Sequence, residues 1–348
     1  MKVGIILINY HDYADRFLDV CASSLRKIKF DLGEHQIIIV DNDTSIATQN
    51  TLKRICPEAI VVPTPSNIGF GAGNNRGIDK AIEIGCDYFM IMNMDTEVDQ
   101  NFLTEAILKY QSDDKIGLVQ SRLMLYNEKD KINSLGNIAH FLGFGYCTGY
   151  KKIYASDMII ENIGYASGAA MLISRAAFEK IGYFNEEFFM YHDDLEWGVK
   201  SLAYGFKNVI AKDSVVYHCY EFSRSVSKFY WMERNRYIVW LSLLKIPTLI
   251  AIFPMALAME IVLILTAIKG GWWKEKFRAY AWFFHVANWK KVFSWRHEIQ
   301  SKRVINDRKL SKSFTAVIDF QEVNNKLISL GNIGLQIYWN FVRLIMFW

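Results

Sequence analysis

Apolar runs of strand length alternate with helix-like segments through the first 220 residues of the chain. Four runs are almost wholly apolar and predict strands, at residues 3–9, 36–40, 60–62 and 88–92. The intervening segments predict helices, at residues 14–28, 45–55 and 72–84. Apolar runs that are followed by helices are typical of parallel strands buried on both faces. The order therefore predicts an α/β fold with a doubly wound, mostly parallel sheet.

Polar residues cluster where three of these strands end, at residues 9–10, 41–43 and 93–95. Ligands of open α/β sheets bind at the carboxyl edge of the strands, so three clusters in register point to a binding site. The alternative is that these residues only form turns, because Asn and Asp are common in the turns that follow strands.

Residues 67–77 carry four glycines within nine residues and lead into a predicted helix. Glycine allows a ligand to approach the backbone closely, and the amides of a helix N-terminus favour anions. The spacing is neither a Walker P-loop nor a dinucleotide GxGxxG motif. A flexible loop with a helix cap is the alternative. Gly168, in a strand predicted within residues 165–173, also allows close approach to the backbone.

Three acids, Asp193, Asp194 and Glu196, follow an aromatic stretch at residues 188–191. Carboxylates beside apolar walls tend to have a raised pKa, as a general base requires. The alternative is an acidic cap on a helix at 194–204. His218 ends a strand predicted at 214–217, where a structural role and a ligand role are both open.

The net charge, the cysteines and the first apolar run exclude several classes of protein. The 348 residues carry a formal net charge of +4, which is too mild to indicate nucleic acid binding. The five cysteines include no CxxC pair, so neither a disulfide framework nor a thiolate metal site is indicated, and a reducing compartment is expected. The first apolar run is too short for a signal peptide, so we expect the N-terminal half to be cytosolic.

The last third of the chain is apolar, aromatic and basic. Residues 246–268 contain one charge, Glu260, and are long enough to span a bilayer. Both flanks are basic, however, against the positive-inside tendency, and Pro247 and Pro254 favour broken helices. We therefore expect in-plane or re-entrant helices with tryptophans at the headgroup level. An ordinary helical domain and a transmembrane hairpin are the alternatives. Residues 333–348 are a further amphipathic segment.

Nine short stretches carry a family resemblance: Ile8-Asn9-Tyr10, Val40-Asp41-Asn42, Asn67-Ile68-Gly69-Phe70-Gly71, Asn74-Asn75-Arg76-Gly77, Asn93-Met94-Asp95, Ser167-Gly168-Ala169-Ala170-Met171, Ile181-Gly182-Tyr183-Phe184-Asn185-Glu186, His192-Asp193-Asp194-Leu195-Glu196 and Arg234-Asn235. Their order resembles that of family 2 glycosyltransferases of the GT-A fold, especially the bacterial rhamnosyltransferase-like branch. The resemblance covers about residues 1–240.

The resemblance implies a role for each matching residue. Asp95 matches the metal-binding Asp of a DXD-type motif, and His218 a His that contacts metal or diphosphate in some relatives. Asp194 matches the catalytic base, with Asp193 beside it. The implied nucleotide-sugar-binding residues are Asn9, Tyr10, Asp41, Asn67, Gly69, Asn74, Asn93 and Gly168. The sequence departs from the family's pattern at Asn93, which stands where the first acid of the DXD motif is usual.

The resemblance implies an inverting glycosyltransferase that uses Mg²⁺ or Mn²⁺, with dTDP-rhamnose as the first candidate donor and UDP-hexoses next. The expected acceptor is a glycan on a polyprenyl diphosphate, at the cytoplasmic face of the cell membrane. We divide the chain into a catalytic domain at 1–223, a membrane-associating helical region at 224–312 and an amphipathic segment at 313–348. The C-terminal helices could also join copies of the chain.

Two other functions stay open. A sugar nucleotidyltransferase would share the α/β fold, but its usual glycine- and arginine-rich loop is missing after the first strand, where Asn9-Tyr10-His11 stands. A scaffold that only binds a nucleotide sugar would not need the acidic cluster at 193–196.

Overall fold

The computed structural model describes residues 1–158, 160, 162–220, 226–319 and 326–348. The chain divides into two compact units. The first unit comprises Met1–Asn137, Cys147–Phe189 and Phe206–Phe222, and the second comprises Ile138–Tyr146, Met190–Gly205 and Ser223–Trp348. The second unit thus takes in two segments that the sequence alone groups with the catalytic domain. The predicted boundary after residue 223 lies outside the described residues, and the three-part division stays a prediction.

The strands are β1 (Lys2–Tyr10), β2 (Glu34–Asn42), β3 (Ile60–Pro63), β4 (Tyr88–Asn93), β5 (Thr96–Val98), β6 (Ile116–Leu125), β7 (Ile132–Ser134), β8 (Asn137–His140), β9 (Gly145–Cys147), β10 (Ala170–Ser174), β11 (Lys207–His218) and β12 (Phe314–Thr315). The α-helices are α1 (Tyr13–Leu25), α2 (Ile46–Ile55), α3 (Phe70–Glu83), α4 (Phe102–Gln111), α5 (Arg175–Ile181), α6 (Asp193–Ala203), α7 (Lys228–Leu243), α8 (Ile246–Lys269), α9 (Trp273–Trp282), α10 (Val286–Lys302), α11 (Asp307–Leu310) and α12 (Lys326–Ile345).

One sheet forms the centre of the first unit, in the order β3-β2-β1-β4-β10-β6-β11-β5, with β7 beside β6. The first four strands in this order are parallel, as their apolar runs predict, and Ile5, Ile6 and Leu7 of β1 are fully buried. Beyond β4 the sheet is mixed, because β10 runs antiparallel to both β4 and β6. The ends of β1, β2 and β4 lie at one edge, since Ile8 is in register with both Val40 and Asn93.

Helix α3 begins at Phe70, two residues before the predicted start at residue 72, so Gly71 lies in the helix together with Gly73 and Gly77. A Cβ atom on Gly77 would lie 2.3 Å from Ile6 Cγ2, and one on Gly73 would lie 3.0 Å from Ile8 Cδ1. The flexible-loop alternative is therefore wrong for residues 70–77, of which the sequence already predicts 72–77 as helix. These two glycines let α3 pack closely against β1.

The second unit is mainly helical, with the small sheet β12-β8-β9. Helix α8 is continuous over 24 residues, so the expectation of helices broken at the prolines is wrong. Pro247 lies in the first turn, where its missing N–H has no intrahelical partner, and the helix tolerates Pro254 in its interior. Within the described residues, α8 alone is long and apolar enough to cross a membrane, and only 17% of its most apolar stretch is buried.

Candidate active site

The ends of β1 and β2 are joined by buried polar side chains. Asn9 Nδ2 donates to Asp41 Oδ1 at 2.7 Å, and Asn9 Oδ1 accepts from the Ala14 amide at 2.9 Å. Asp41 Oδ2 accepts from the hydroxyls of Thr44 at 2.5 Å and Thr48 at 3.0 Å. Asn9 and Asp41 are both fully buried. Their side chains therefore fix the shape of this sheet edge, whereas Tyr10 at the end of β1 is 40% exposed.

A second group of bonds holds the turn before α3 against the end of β2. Asn67 Oδ1 accepts from Asn42 Nδ2 and from the Gly69 amide, both at 2.9 Å. Gly69 has a φ of +87°, and a Cβ there would lie 2.3 Å from the Phe189 carbonyl oxygen. Only glycine fits this position, since it combines a left-handed backbone with close contact to a neighbouring main chain.

Asn74 and Gly168, which are also expected to bind the nucleotide sugar, contact other residues of the protein. Asn74 is buried on α3 and donates through Nδ2 to the Phe70 carbonyl at 3.0 Å. A Cβ on Gly168 would lie 2.6 Å from Phe70 Cζ. The close approach expected at Gly168 is thus made by an aromatic ring of the protein.

A largely buried cluster of polar side chains lies where β4 and β11 end in the first unit. Asp95 Oδ1 lies 3.3 Å from His218 Nε2, with side-chain exposures of 11% and 8%. Asn93 Nδ2 lies 3.4 Å from the same ring nitrogen. The main chain supports this arrangement, because the Cys219 amide donates to the Asp95 carbonyl at 2.9 Å. The structure therefore brings His218 to Asn93 and Asp95, which lie more than 100 residues earlier in the chain.

Asn133 of β7 controls which nitrogen of His218 carries a proton, and no sequence pattern pointed to it. His218 Nδ1 lies 3.0 Å from Asn133 Oδ1, which can only accept. Nδ1 therefore carries the hydrogen, and in the neutral ring the Nε2 lone pair faces the Asp95 carboxylate. A lone pair and a carboxylate oxygen at this distance repel unless a proton or a metal cation lies between them.

These residues fit a divalent cation. Asp95 Oδ1 is buried and accepts no hydrogen bond from the described residues, so it is a ready oxygen ligand. The described part of the chain contains no group of three or more His, Cys, Asp or Glu residues arranged for a metal. A site with few protein ligands suits Mg²⁺, which keeps several waters and binds through one or two carboxylates together with substrate phosphates.

The acidic segment belongs to the second unit and begins α6. Tyr191 and His192 have φ values of +64° and +67°, an uncommon conformation for residues other than glycine. Asn235 of α7 holds this backbone, because its Nδ2 donates to the carbonyls of Met190 at 2.9 Å and Tyr191 at 2.8 Å. The matching Arg234-Asn235 stretch thus supports the turn before Asp193 and Asp194.

The acids of α6 differ in their surroundings. Asp193 is buried, and Asp194 is half-buried, with its Oδ1 accepting from the Leu195 amide at 2.8 Å. Burial raises the pKa of Glu196, an effect opposed by Lys200 at 3.4 Å. Glu196 therefore shows the raised pKa that we expect in this cluster.

Comparison with known proteins identifies the family. The model of glycosyl transferase family 2 matches residues 4–182, just over half of the chain. The chain is 26% identical over 202 residues to the low-salt glycan biosynthesis hexosyltransferase Agl10 of Haloferax volcanii, covering 56% of this chain and 60% of that protein. It is 23% identical over 201 residues to the N-acetylglucosaminyl-diphospho-decaprenol L-rhamnosyltransferase of Mycobacterium tuberculosis, covering 52% and 66%. The match to dTDP-rhamnosyl transferase RfbF of Shigella flexneri is 22% over 186 residues, covering 52% and 59%. The chain therefore matches less than two thirds of the length of each relative.

Solved structures share the fold. GalNAc-T7, crystallised with UDP, GalNAc and Mn²⁺, matches with a TM-score of 0.54 and 13% identity over 69% of this chain and 48% of that chain. S. aureus TarS 1-349 in complex with UDP matches with a TM-score of 0.51 and 13% identity over 99% and 90%. The sheet and its C-terminal helices thus form the GT-A glycosyltransferase fold, as the sequence predicts, and the chain belongs to glycosyl transferase family 2.

Proposed function

We propose that the protein is an inverting, metal-dependent glycosyltransferase that moves rhamnose from dTDP-rhamnose to a hydroxyl of a lipid-linked glycan. The observation that carries the proposal is the buried pair Asp95–His218 at the sheet edge of a family 2 chain. The donor is suggested by two relatives that are named as rhamnosyltransferases.

In this proposal the first unit holds the donor. Asp95 and His218 bind the cation, and Asn93 lies beside them with an amide that can contact ribose or metal. Tyr10 is the exposed side chain at the edge shaped by Asn9 and Asp41, where the nucleotide would lie. Asn67, Gly69, Asn74 and Gly168 support this edge through contacts with the chain.

The chemistry requires a leaving group with its charge neutralised and a base. When bound, Mg²⁺ or Mn²⁺ neutralises the departing nucleoside diphosphate. Asp194 accepts the proton of the acceptor hydroxyl as that oxygen attacks the anomeric carbon. Asp193, the preceding residue, is buried and is the second acid that we assign to the catalytic group. A single displacement inverts the anomeric centre, and no covalent intermediate is needed.

The proposed acceptor is suggested by the Mycobacterium tuberculosis relative, whose name specifies an N-acetylglucosaminyl-diphospho-decaprenol substrate. We propose a polyprenyl-diphosphate-linked glycan, which would place the enzyme at the cytoplasmic face of the cell membrane. Association of copies through the C-terminal helices stays a prediction.

A thermal-shift screen of nucleotide sugars with Mn²⁺ tests the donor, because a ligand that binds only the folded state raises the melting temperature. We expect dTDP-rhamnose with Mn²⁺ to stabilise the protein most, and the Asp95→Ala variant to lose the Mn²⁺-dependent part of this shift. Selective stabilisation by a UDP-hexose would show that the donor is a UDP-hexose instead of dTDP-rhamnose, and the proposal of a metal-dependent glycosyltransferase would stand. Release of pyrophosphate from a nucleoside triphosphate would instead indicate a nucleotidyltransferase.

A further inference from the structure

Helix α8 presents a continuous apolar stripe to the outside. Large apolar residues recur every three or four positions and are each 55–68% exposed: Ile250, Phe253, Leu257, Ile261, Leu265 and Ile268. The opposite face packs into the second unit through Ile252, Leu263 and Ala267, which are buried. A soluble monomer rarely leaves a row of this length exposed to water.

Helix α12 adds a second stripe of the same kind. Ile333, Ile337, Phe341 and Leu344 are 56–82% exposed, while Leu335, Trp339 and Val342 are buried. The two helices are joined within the second unit. Tyr338 Oη donates to the Ala251 carbonyl at 2.7 Å, and Trp348 Nε1 donates to Thr248 Oγ1 at 2.7 Å. The stripes therefore belong to adjoining helices of one compact unit.

The position of Glu260 argues against α8 crossing a membrane. This mid-helix carboxylate pairs with Arg236 of α7 at 2.5 Å and with Lys276 of α9 at 2.6 Å. A spanning α8 would therefore draw α7 and α9 into the hydrocarbon, including Arg278, whose side chain is 60% exposed. Charges at that depth are costly, so the ion pairs favour α8 lying along the membrane surface.

The positive charge of the segment that follows α8 indicates the kind of partner that the stripes contact. Residues 269–312 expose nine cations: Lys269, Lys274, Arg278, Lys290, Lys291, Lys302, Arg308, Lys309 and Lys312. Glu298 is the one exposed acid in this range, since Glu275 is half-buried and Asp307 is buried. Anionic lipid attracts such a surface, whereas a second copy of the same unit would repel it.

We propose that the second unit docks on an anionic membrane surface through the outward stripes of α8 and α12, with α8 lying in the membrane plane. This inference deepens the proposed function, because it names the surface that brings the enzyme to a lipid-linked acceptor. It makes no use of the donor or of the cation site.

Vesicle sedimentation of the full chain tests the proposal. We expect binding to phosphatidylcholine vesicles that contain phosphatidylglycerol, weaker binding to pure phosphatidylcholine, and release of bound protein at high salt. The double variant Leu257→Glu/Ile261→Glu should weaken vesicle binding at least about tenfold, because it places two carboxylates in the stripe. The matched control is Leu108→Glu, at an exposed leucine of α4 in the first unit, which should bind like the wild type.

Two further measurements separate the alternatives. Extraction of loaded vesicles with alkaline carbonate should release the protein, and retention in the pellet would overturn the in-plane arrangement. Equal binding to both vesicle types, or no binding to either, would overturn the anionic surface as partner. A dimer in light scattering that the double variant abolishes would assign the stripes to a second copy. The dTDP-rhamnose thermal shift should persist in the double variant, so failure of docking is distinguishable from failure of the proposed donor.

Discussion

At the scale of single residues, Asn133 is expected to set the metal affinity by orienting His218. Its Oδ1 lies 3.0 Å from His218 Nδ1 and thereby turns the Nε2 lone pair towards Asp95. Loss of such a supporting hydrogen bond typically weakens metal binding by roughly 10- to 100-fold. We predict that Asn133→Leu weakens Mn²⁺ binding by this factor in calorimetry, whereas Asn133→Asp, which keeps an acceptor, retains it. A folded Asn133→Leu protein with wild-type Mn²⁺ affinity would exclude the role.

Asp194 carries the second prediction at this scale. Asp194→Asn keeps the size of the side chain and an oxygen that can accept from the Leu195 amide, but it removes the base. Turnover should fall by roughly 10²–10⁴, the usual contribution of a positioned base, while the donor-induced thermal shift stays unchanged. Asp213→Asn, at an exposed acid of β11, is the control and should be as active as the wild type. Near-normal turnover of Asp194→Asn would show that another group takes the proton.

At the scale of elements, the contact between α3 and β1 depends on Gly77. A Cβ at this position would lie 2.3 Å from Ile6 Cγ2, in the buried core of the sheet. We predict that Gly77→Ala lowers the free energy of unfolding by about 1–3 kcal/mol, as overpacking does in well-packed cores. Gly334→Ala in α12 meets no atom within 4 Å and should be neutral or stabilising by up to about 1 kcal/mol. Denaturant unfolding followed by circular dichroism measures both, and equal stability of the two variants would contradict this account.

The same contact shows why some elements could be predicted from the sequence and others could not. Buried parallel strands such as β1 carry continuous apolar runs, so their positions and order were predictable. The sequence predicts α3 from residue 72 but leaves the role of its glycines open, because their close packing on β1 is a tertiary contact that local sequence does not encode. Strand β7, with the sequence Ile-Asn-Ser, has too few residues for any periodicity, so Asn133 could not be placed beside His218.

At the scale of the whole molecule, the second unit combines exposed apolar stripes with a buried polar interior. Glu233 and Arg236 of α7 pair with each other at 2.9 Å, and both join Glu260 or Lys276 from α8 and α9. Burial alone would raise the pKa of Glu260, but the charges of Arg236 and Lys276 lower it to about 2. These ion pairs hold three helices together, so the unit depends on keeping its carboxylates charged.

Acid should therefore destabilise the second unit. Burial lowers the pKa of His140 to about 3 and of His192 to about 4, so below an ordinary value of 6.5 the unfolded chain binds protons that the folded chain excludes. The stabilisation from these histidines is complete above pH 6.5 and falls as the pH drops, by about 2 kcal/mol for each histidine near pH 5. The stabilisation from Glu260 is lost at lower pH, between about pH 4.5 and pH 2. The raised pKa of Glu196 acts in the opposite direction, because protonation of this carboxyl stabilises the folded state.

All 10 tryptophans lie in the second unit, so their fluorescence during denaturant unfolding at pH 7.5 and about pH 5 reports this unit selectively. His140→Gln should remove about half of the difference in stability between the two pH values. The exposed control His11→Gln should leave this difference unchanged. Equal stability of the wild type at both pH values would contradict the burial of these histidines in neutral form.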